Sequence, residues 1–388
     1  MQVLLATCGN WHLPRTAKAF AERDALAGLW ITFKNSTQVP PEKFRRCWFF
    51  RLALEPWYRW TPPPWPERAF YGNFPFWRHW VRSQPYPQCD VIQAIMGYAT
   101  EFFDQAEKTG VLKVLDCPTS HPALFAAYWQ RECDQWCPGA KPAIPRWMFQ
   151  RMAREVARAD VVLCPSDFVR DSMLMHGVPA EKCFINPFGV DTSIFTPRAE
   201  VPVRPRFICV APIRLLKGHQ YLFPAFQIVK QTLPEAELIC VGVYRPNFRR
   251  ERPRWAGTFT QIEALSHPDL AQLLRTGTAF VLPSVQEGLA RVIPEAMAAG
   301  LPIIATYETG ATTLVKDGRE GFIVPVCNVE RLAEAMIRVA SDSELNRRLG
   351  EAAYERGTAR NTWQDYGDRL LAEYERRLKK PPQGNTGT

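Results

Sequence analysis

At 388 residues the chain is longer than one ordinary domain, and its length predicts two or three, read most simply as two halves with separate cores. A composition of 46% apolar and 22% charged residues is that of a globular protein, and no apolar run reaches the length that crosses a bilayer, which excludes a helical integral membrane protein. The net charge of +9 suits a polyanionic partner, whether nucleoside diphosphate, anionic lipid or nucleic acid, and the sequence holds none of the common nucleic-acid modules, so nucleic acid is not expected.

The eleven cysteines are an odd number scattered through apolar runs and read as reduced core thiols. Cys133 and Cys137 are the one close pair, with no second pair or neighbouring histidine to complete a tetrahedral zinc site, so no metal and no bound cofactor is expected. Met1 to Leu5 lacks the basic start and long apolar core of a secretory signal, so the expected location is the cytoplasm.

In chain order, Val3 to Ala6 is a strand-like run, followed by a loop with Gly9 and by helical spacing from Pro14 to Trp30. His12 reads as a surface loop residue. Residues 40 to 90 differ in kind, with Trp48, Trp57, Trp60, Trp65, Trp77 and Trp80 set among arginines and prolines. The prolines exclude a long regular helix. Tryptophan with arginine suits an anionic membrane interface, stacking on sugar rings, or plain packing under a long loop. Asp90 to Ala94 and Val111 to Asp116 are strand-like, as is Asp160 to Cys164, and Gly189 suits a left-handed turn. Pro197 to Pro205 reads as a linker.

Beyond it, Phe207 to Val210 is a new strand that delivers Arg214, Lys217 and Gly218, then a helix from Tyr221 to about Leu233 and a strand from Glu237 to Val241. The buried run Ala279 to Leu282 leads into Glu287-Gly288-Leu289-Ala290-Arg291-Val292-Ile293-Pro294-Glu295. A loop between a parallel strand and a helix lies where open α/β sheets bind ligands. Gly288 permits close backbone approach, the amides of Leu289, Ala290 and Arg291 open a helix from about 291 to 299 and can donate to a diphosphate, and Glu295 is suited to ribose hydroxyls. A glycine stop, a short strand through Ile303 and Ile304, the Asp317-Gly318 turn and a last strand follow. A final helix runs from Trp363 to about Leu378, and residues 381–388 have the composition of a disordered tail.

Two glutamates eight apart are common on solvated helices. Here the flanking residues decide: Glu287 to Pro325 resembles, in order, the Glu-x7-Glu block of retaining GT-B glycosyltransferases, especially family 4. The resemblance implies an α/β fold of two Rossmann-like doubly wound domains facing a cleft. Residues 1–200 form the acceptor-binding domain, 201–362 the nucleotide-sugar domain, and 363–380 a helix crossing back to the first. It further implies that Lys217 anchors the diphosphate, that Glu287 accepts from donor sugar hydroxyls, and that His121 contacts the donor sugar. Gly9 would face the cleft and Leu265 lie in the loop contacting the base. An arginine expected five residues before Lys217 is replaced by Pro212, with Arg214 nearest; Thr313 stands where a glutamate is frequent.

The expected activity is transfer of a sugar, with retention and without a metal, from a nucleotide sugar to a glycan or lipid-linked hydroxyl, with peripheral binding expected at the inner face of an anionic membrane. Alternatives are a sugar nucleotide 2-epimerase of the same fold and a non-catalytic, membrane-docked nucleotide-sugar-binding protein.

Overall fold

The structure, a computed structural model, describes residues 1–9, 12–32, 39–47, 71–72, 74–138, 144–245, 248 and 253–379. The first half builds a sheet from β1 (Val3–Ala6), β2 (Leu26–Ile31), β3 (Phe44–Arg46), β4 (Val91–Ile95), β5 (Leu112–Asp116), β6 (Val161–Cys164) and β7 (Cys183–Ile185), in the order β3-β2-β1-β4-β5-β6-β7. The second builds one from β8 (Arg206–Val210), β9 (Glu237–Val241), β10 (Thr260–Ile262), β11 (Ala279–Leu282), β12 (Ile303–Thr306) and β13 (Gly321–Val324), in the order β10-β9-β8-β11-β12-β13. The ladders are parallel throughout both sheets. Central strands such as β1, β4, β6, β11 and β12 are buried at every position, as sheets covered on both faces require. Strand order reverses between β1 and β4 and again between β8 and β11, which creates a ligand-binding crevice at the carboxyl ends of each sheet. Among the described residues no helix is long and apolar enough to cross a membrane.

The expected helix from Pro14 to Trp30 is wrong in its second half. Helix α1 (Leu13–Ala21) ends early, Asp24 turns the chain with a φ of 52°, and Leu26 onward is β2, paired to β1. Leu26-Ala27-Gly28-Leu29-Trp30-Ile31 is a continuous apolar run, and burial against β1 outweighs its fit to a helical period.

Two further expectations change. Gly189 is not among the residues of positive φ; a Cβ there would stand 2.5 Å from the Thr362 carbonyl oxygen, so its glycine answers close packing rather than a turn. His12 is buried, not a surface residue, and its Nε2 lies 2.8 Å from Asp116.

The last helices complete the second domain and return to the first. Between α1 and the last three helices stand α2 (Phe74–Ser83), α3 (Thr100–Thr109), α4 (Pro122–Trp136), α5 (Arg146–Arg158), α6 (Asp167–Met175), α7 (His219–Thr232), α8 (His267–Arg275) and α9 (Val292–Ala298); after α10 (Val329–Ser341) and α11 (Ser343–Thr358), helix α12 (Trp363–Lys379) crosses to the amino-terminal half. Arg369 donates to Asn186 Oδ1 at 2.6 Å and to the Pro187 carbonyl at 3.0 Å, and the fully buried Tyr374 hydroxyl donates to Gln93 at 2.9 Å. Gln93 in turn donates to Asp116 at 2.6 Å, so one buried chain of polar groups links α12, β4, β5 and His12. Tyr374→Phe leaves Gln93 without that donor and is expected to destabilise the protein by about 1 kcal/mol, read as a lower urea midpoint at unchanged slope.

Helix α2 (Phe74–Ser83) carries the two described tryptophans of the tryptophan-rich stretch. Trp77 is fully buried, Trp80 lies edge-on to Trp30 at 5.7 Å, and Arg78 and Arg82 pair with Glu101 and Asp104. For these four residues plain packing and ion pairing account for the composition. Trp48, Trp57, Trp60 and Trp65 lie outside the described residues, as does the tail from residue 380.

Candidate functional site

The site begins with two loops that leave neighbouring strands at a switch point. After β8 the chain makes a single 3-10 turn, Leu215–Lys217, stopped by Gly218 with a φ of 73°. A Cβ on Gly218 would come within 1.9 Å of the Pro283 carbonyl oxygen, so only glycine lets this loop lie against the exit of β11. The loops are stitched by Val285 N–H to Leu216 O at 3.0 Å, and Glu287 N–H donates to Glu308 O at 2.9 Å beyond β12.

That stitching brings Lys217 Nζ into direct contact with the Glu287 carboxylate, with side-chain exposures of 10% and 20%. Burial, and then the Arg214 guanidinium, pull the Lys217 ammonium below its usual range. Cys209 opposes that pull. The structure brings Lys217 and Glu287 together, with the Arg214 charge acting on Lys217. A pocket with a confined ammonium, a guanidinium and a carboxylate acceptor can bind a phosphate beside a polyhydroxylated group.

The rest of the Glu287 to Glu295 loop is held against the amino-terminal half. A Cβ on Gly288 would lie 2.0 Å from the Pro118 carbonyl oxygen, so the close approach that selects glycine is to the opposite domain's β5 loop. Ser166 also donates to the Gly288 carbonyl, and Gln286 donates to Thr119 and, at 3.2 Å, to Ser120. The Ala290 amide makes a long 3.4 Å bond to Thr309 O, and Leu289 and Ala290 are buried. The helix that follows, α9 (Val292–Ala298), has seven residues and starts after Arg291, too short for a large dipole. Positive charge at the site therefore comes chiefly from side chains.

Glu295 sits on α9 and is 9% exposed, its carboxyl raised to about 7 by burial against the opposing pull of Arg15 and Arg291. Arg15, on α1 in the other domain, was missed by the sequence reading. Its guanidinium contacts His267 Nε2 at 2.9 Å and lies over the Trp363 ring at 5.1 Å. Its signal was its place in the loop and helix directly after β1. His267 opens α8 (His267–Arg275), so Leu265, two residues earlier and half-buried, lies at the Glu295 end of the cleft.

His121 caps α4 (Pro122–Trp136), accepting from the Ala123 amide through Nδ1 at 3.3 Å. Its ring stacks on His176 at 4.1 Å, and burial with that neighbour lowers its pKa to about 4. At neutral pH it is a neutral imidazole in the β5 loop that meets Gly288, able to donate from Nε2. Gly9 lies in the loop after β1, and Thr313 Oγ1, where the resemblance suggests glutamate, accepts from the Asp167 amide at 2.8 Å and serves the domain seam.

Residues 204–342 match the family model described as glycosyl transferases group 1. MMP alpha-(1->4)-mannosyltransferase of Mycolicibacterium hassiacum is 30% identical over 266 residues, 66% of this chain and 62% of that protein. D-inositol 3-phosphate glycosyltransferase of Kribbella flavida is 29% identical over 56% of this chain and 57% of its own length. The chain thus spans less than two thirds of the length of these curated relatives. Among solved structures, Anabaena HepE in complex with UDP and glucose superimposes with a TM-score of 0.71 at 15% identity, covering 97% of this chain and all (100%) of that one. Sucrose-phosphate synthase from Thermosynechococcus elongatus superimposes with a TM-score of 0.68 at 18% identity, covering 97% and 99%. Residues 204–342, within the carboxyl-terminal domain, thus match the glycosyl transferases group 1 family, and the chain that carries them has the GT-B fold.

Proposed function

We propose that the protein transfers a sugar from a nucleoside diphosphate sugar to a hydroxyl acceptor, with retention and without a metal at the diphosphate. The observation that carries this reading is the Lys217–Glu287 contact at the β8/β11 switch point, with Arg214 alongside. The incoming diphosphate takes over the Lys217 ammonium, which frees Glu287 to accept from hydroxyls of the sugar. As the bond from the anomeric carbon to the phosphate oxygen breaks, the acceptor oxygen bonds to the same face, and its proton passes to the departing phosphate oxygen. Preorganised positive charge on that leaving group is the main source of acceleration, and no paired carboxylates are needed. The curated relatives named as a mannosyltransferase and a glycosyltransferase, and the neighbour solved with UDP and glucose, support sugar transfer from a nucleotide sugar; the acceptor read for this chain is a glycan or lipid-linked hydroxyl.

A thermal-shift screen against UDP, GDP and ADP sugars tests the donor, since a ligand of the folded state raises apparent stability. Incubation with the stabilising donor alone then separates the alternatives. Sugar epimerised with no acceptor present would overturn transfer in favour of a 2-epimerase.

The reading also fixes a pH dependence. Glu295 binds ribose hydroxyls as a carboxylate, and its carboxyl titrates at about 7 in the folded protein. Donor affinity is therefore expected to strengthen as pH rises through about 7, and Glu295→Gln should flatten that rise in calorimetric titrations. The stability sign is opposite: from its ordinary 4.5 to about 7 the folded protein holds a proton that the unfolded chain releases, so stability falls as pH rises across that window.

A further inference from the structure

Behind the Lys217 loop, β8 and β9 place Cys209 directly opposite Cys240 in the parallel register, so both thiols leave the same face. Helix α7 (His219–Thr232) packs there, and His219, its first residue, points its imidazole at the two sulfurs. All three side chains are completely buried, and their ligand atoms lie within 4.8 Å of one another. Cys209 Sγ stands 3.8 Å from His219 Nε2. Bonds of about 2.0 Å to nitrogen and about 2.3 Å to sulfur, at trigonal angles, would put those atoms about 3.7 Å apart.

A second feature fits a ligating imidazole. His219 Nδ1 faces the Arg214 carbonyl at 3.4 Å, the outer hydrogen bond that leaves the Nε2 lone pair directed at the thiols.

We propose that Cys209, Cys240 and His219 form a three-coordinate site for a soft d10 cation, monovalent copper or zinc, enclosed in the wall of the domain behind the donor loop. Two sulfurs and one imidazole select soft ions, and complete burial of all three donors favours a low coordination number over a site completed by bulk water. Binding releases the thiol protons to solvent. The ion would not touch the diphosphate; it would fix β8, β9 and the start of α7, on which Arg214 and Lys217 are carried. This inference stands independently of the transfer reaction.

Cadmium is a direct probe. Titrating the reduced, metal-free full chain with Cd2+ is expected to raise an ultraviolet thiolate-to-metal charge-transfer band that saturates at one equivalent and disappears in Cys209→Ala and in Cys240→Ala. A band of equal intensity in both variants, or no band in the parent protein, overturns the proposal. Should either variant lose its native circular dichroism, X-ray absorption of the parent cadmium adduct decides instead: two sulfurs and one nitrogen support the site, and an oxygen-rich or four-sulfur shell refutes it. Competition against chromophoric chelators, with Zn2+ in one arm and Cu+ under anaerobic reduction in the other, identifies the ion. Uptake of neither counts against the site.

Discussion

Lys217→Ala is expected to lower kcat for sugar transfer by about 10²–10³-fold while leaving the far-ultraviolet circular dichroism unchanged. The size follows from what the ammonium faces. Lys217 is nearly buried and contacts the Glu287 carboxylate. Its removal deletes a charge from the leaving group and also leaves a carboxylate unpaired where a dianionic diphosphate must sit. Like charges in a confined site repel strongly, so donor binding weakens together with the chemical step. Arg214, whose charge already acts on Lys217, compensates only in part. Initial rates at saturating donor measure the effect, and an unchanged kcat would remove Lys217 from the mechanism. The double variant Lys217→Ala, Glu287→Gln relieves the repulsion and should recover donor affinity more than rate, which separates binding from leaving-group stabilisation.

Gly288→Ala is the second large effect, expected to cost activity about 10²-fold through misalignment of the two domains. A Cβ at this position meets the Pro118 carbonyl oxygen at 2.0 Å, and backbone on both sides leaves no flexible side chain to yield. The seam must open by roughly an ångström. That movement loosens the Ser166 bond to the Gly288 carbonyl, the Gln286 bonds to Thr119 and Ser120, and the 3.4 Å contact between Tyr128 and Glu308. Each domain keeps its own core, so the fold should persist while the radius of gyration measured by small-angle scattering with donor present increases. A variant with full activity and an unchanged radius would show that this contact does not govern closure.

The contrast between these two residues explains how much of the site was legible in the chain. Lys217 and Glu287 stand in the loops that leave two buried strands at a switch point, where a parallel sheet exposes its ligand-binding loops, and Glu295 lies on the helix beyond; the flanking residues that resemble the family block singled all three out. Gly288 has a neighbour that its own segment does not record, the Pro118 carbonyl, 170 positions earlier. Arg15 was overlooked because nothing in its own segment records His267, Glu295 or Trp363 as neighbours. Likewise Cys209 and Cys240 look like ordinary core thiols until the register sets them side by side beneath His219.

The sequence by itself determined most of the strands, the linker and the last helix, because continuous apolar runs, glycine stops and loop composition act over a few residues; the two facing sheets and the crossing of that helix were what the family resemblance implied. It misplaced α1 and β2, since a run such as Leu26 to Ile31 fits helical spacing and becomes a strand only through pairing with β1. Tertiary structure alone decided which charges meet, which glycines are pressed by a distant backbone and which thiols converge. Those outcomes depend on burial and on contacts between residues far apart in the chain, and local propensity carries no trace of either.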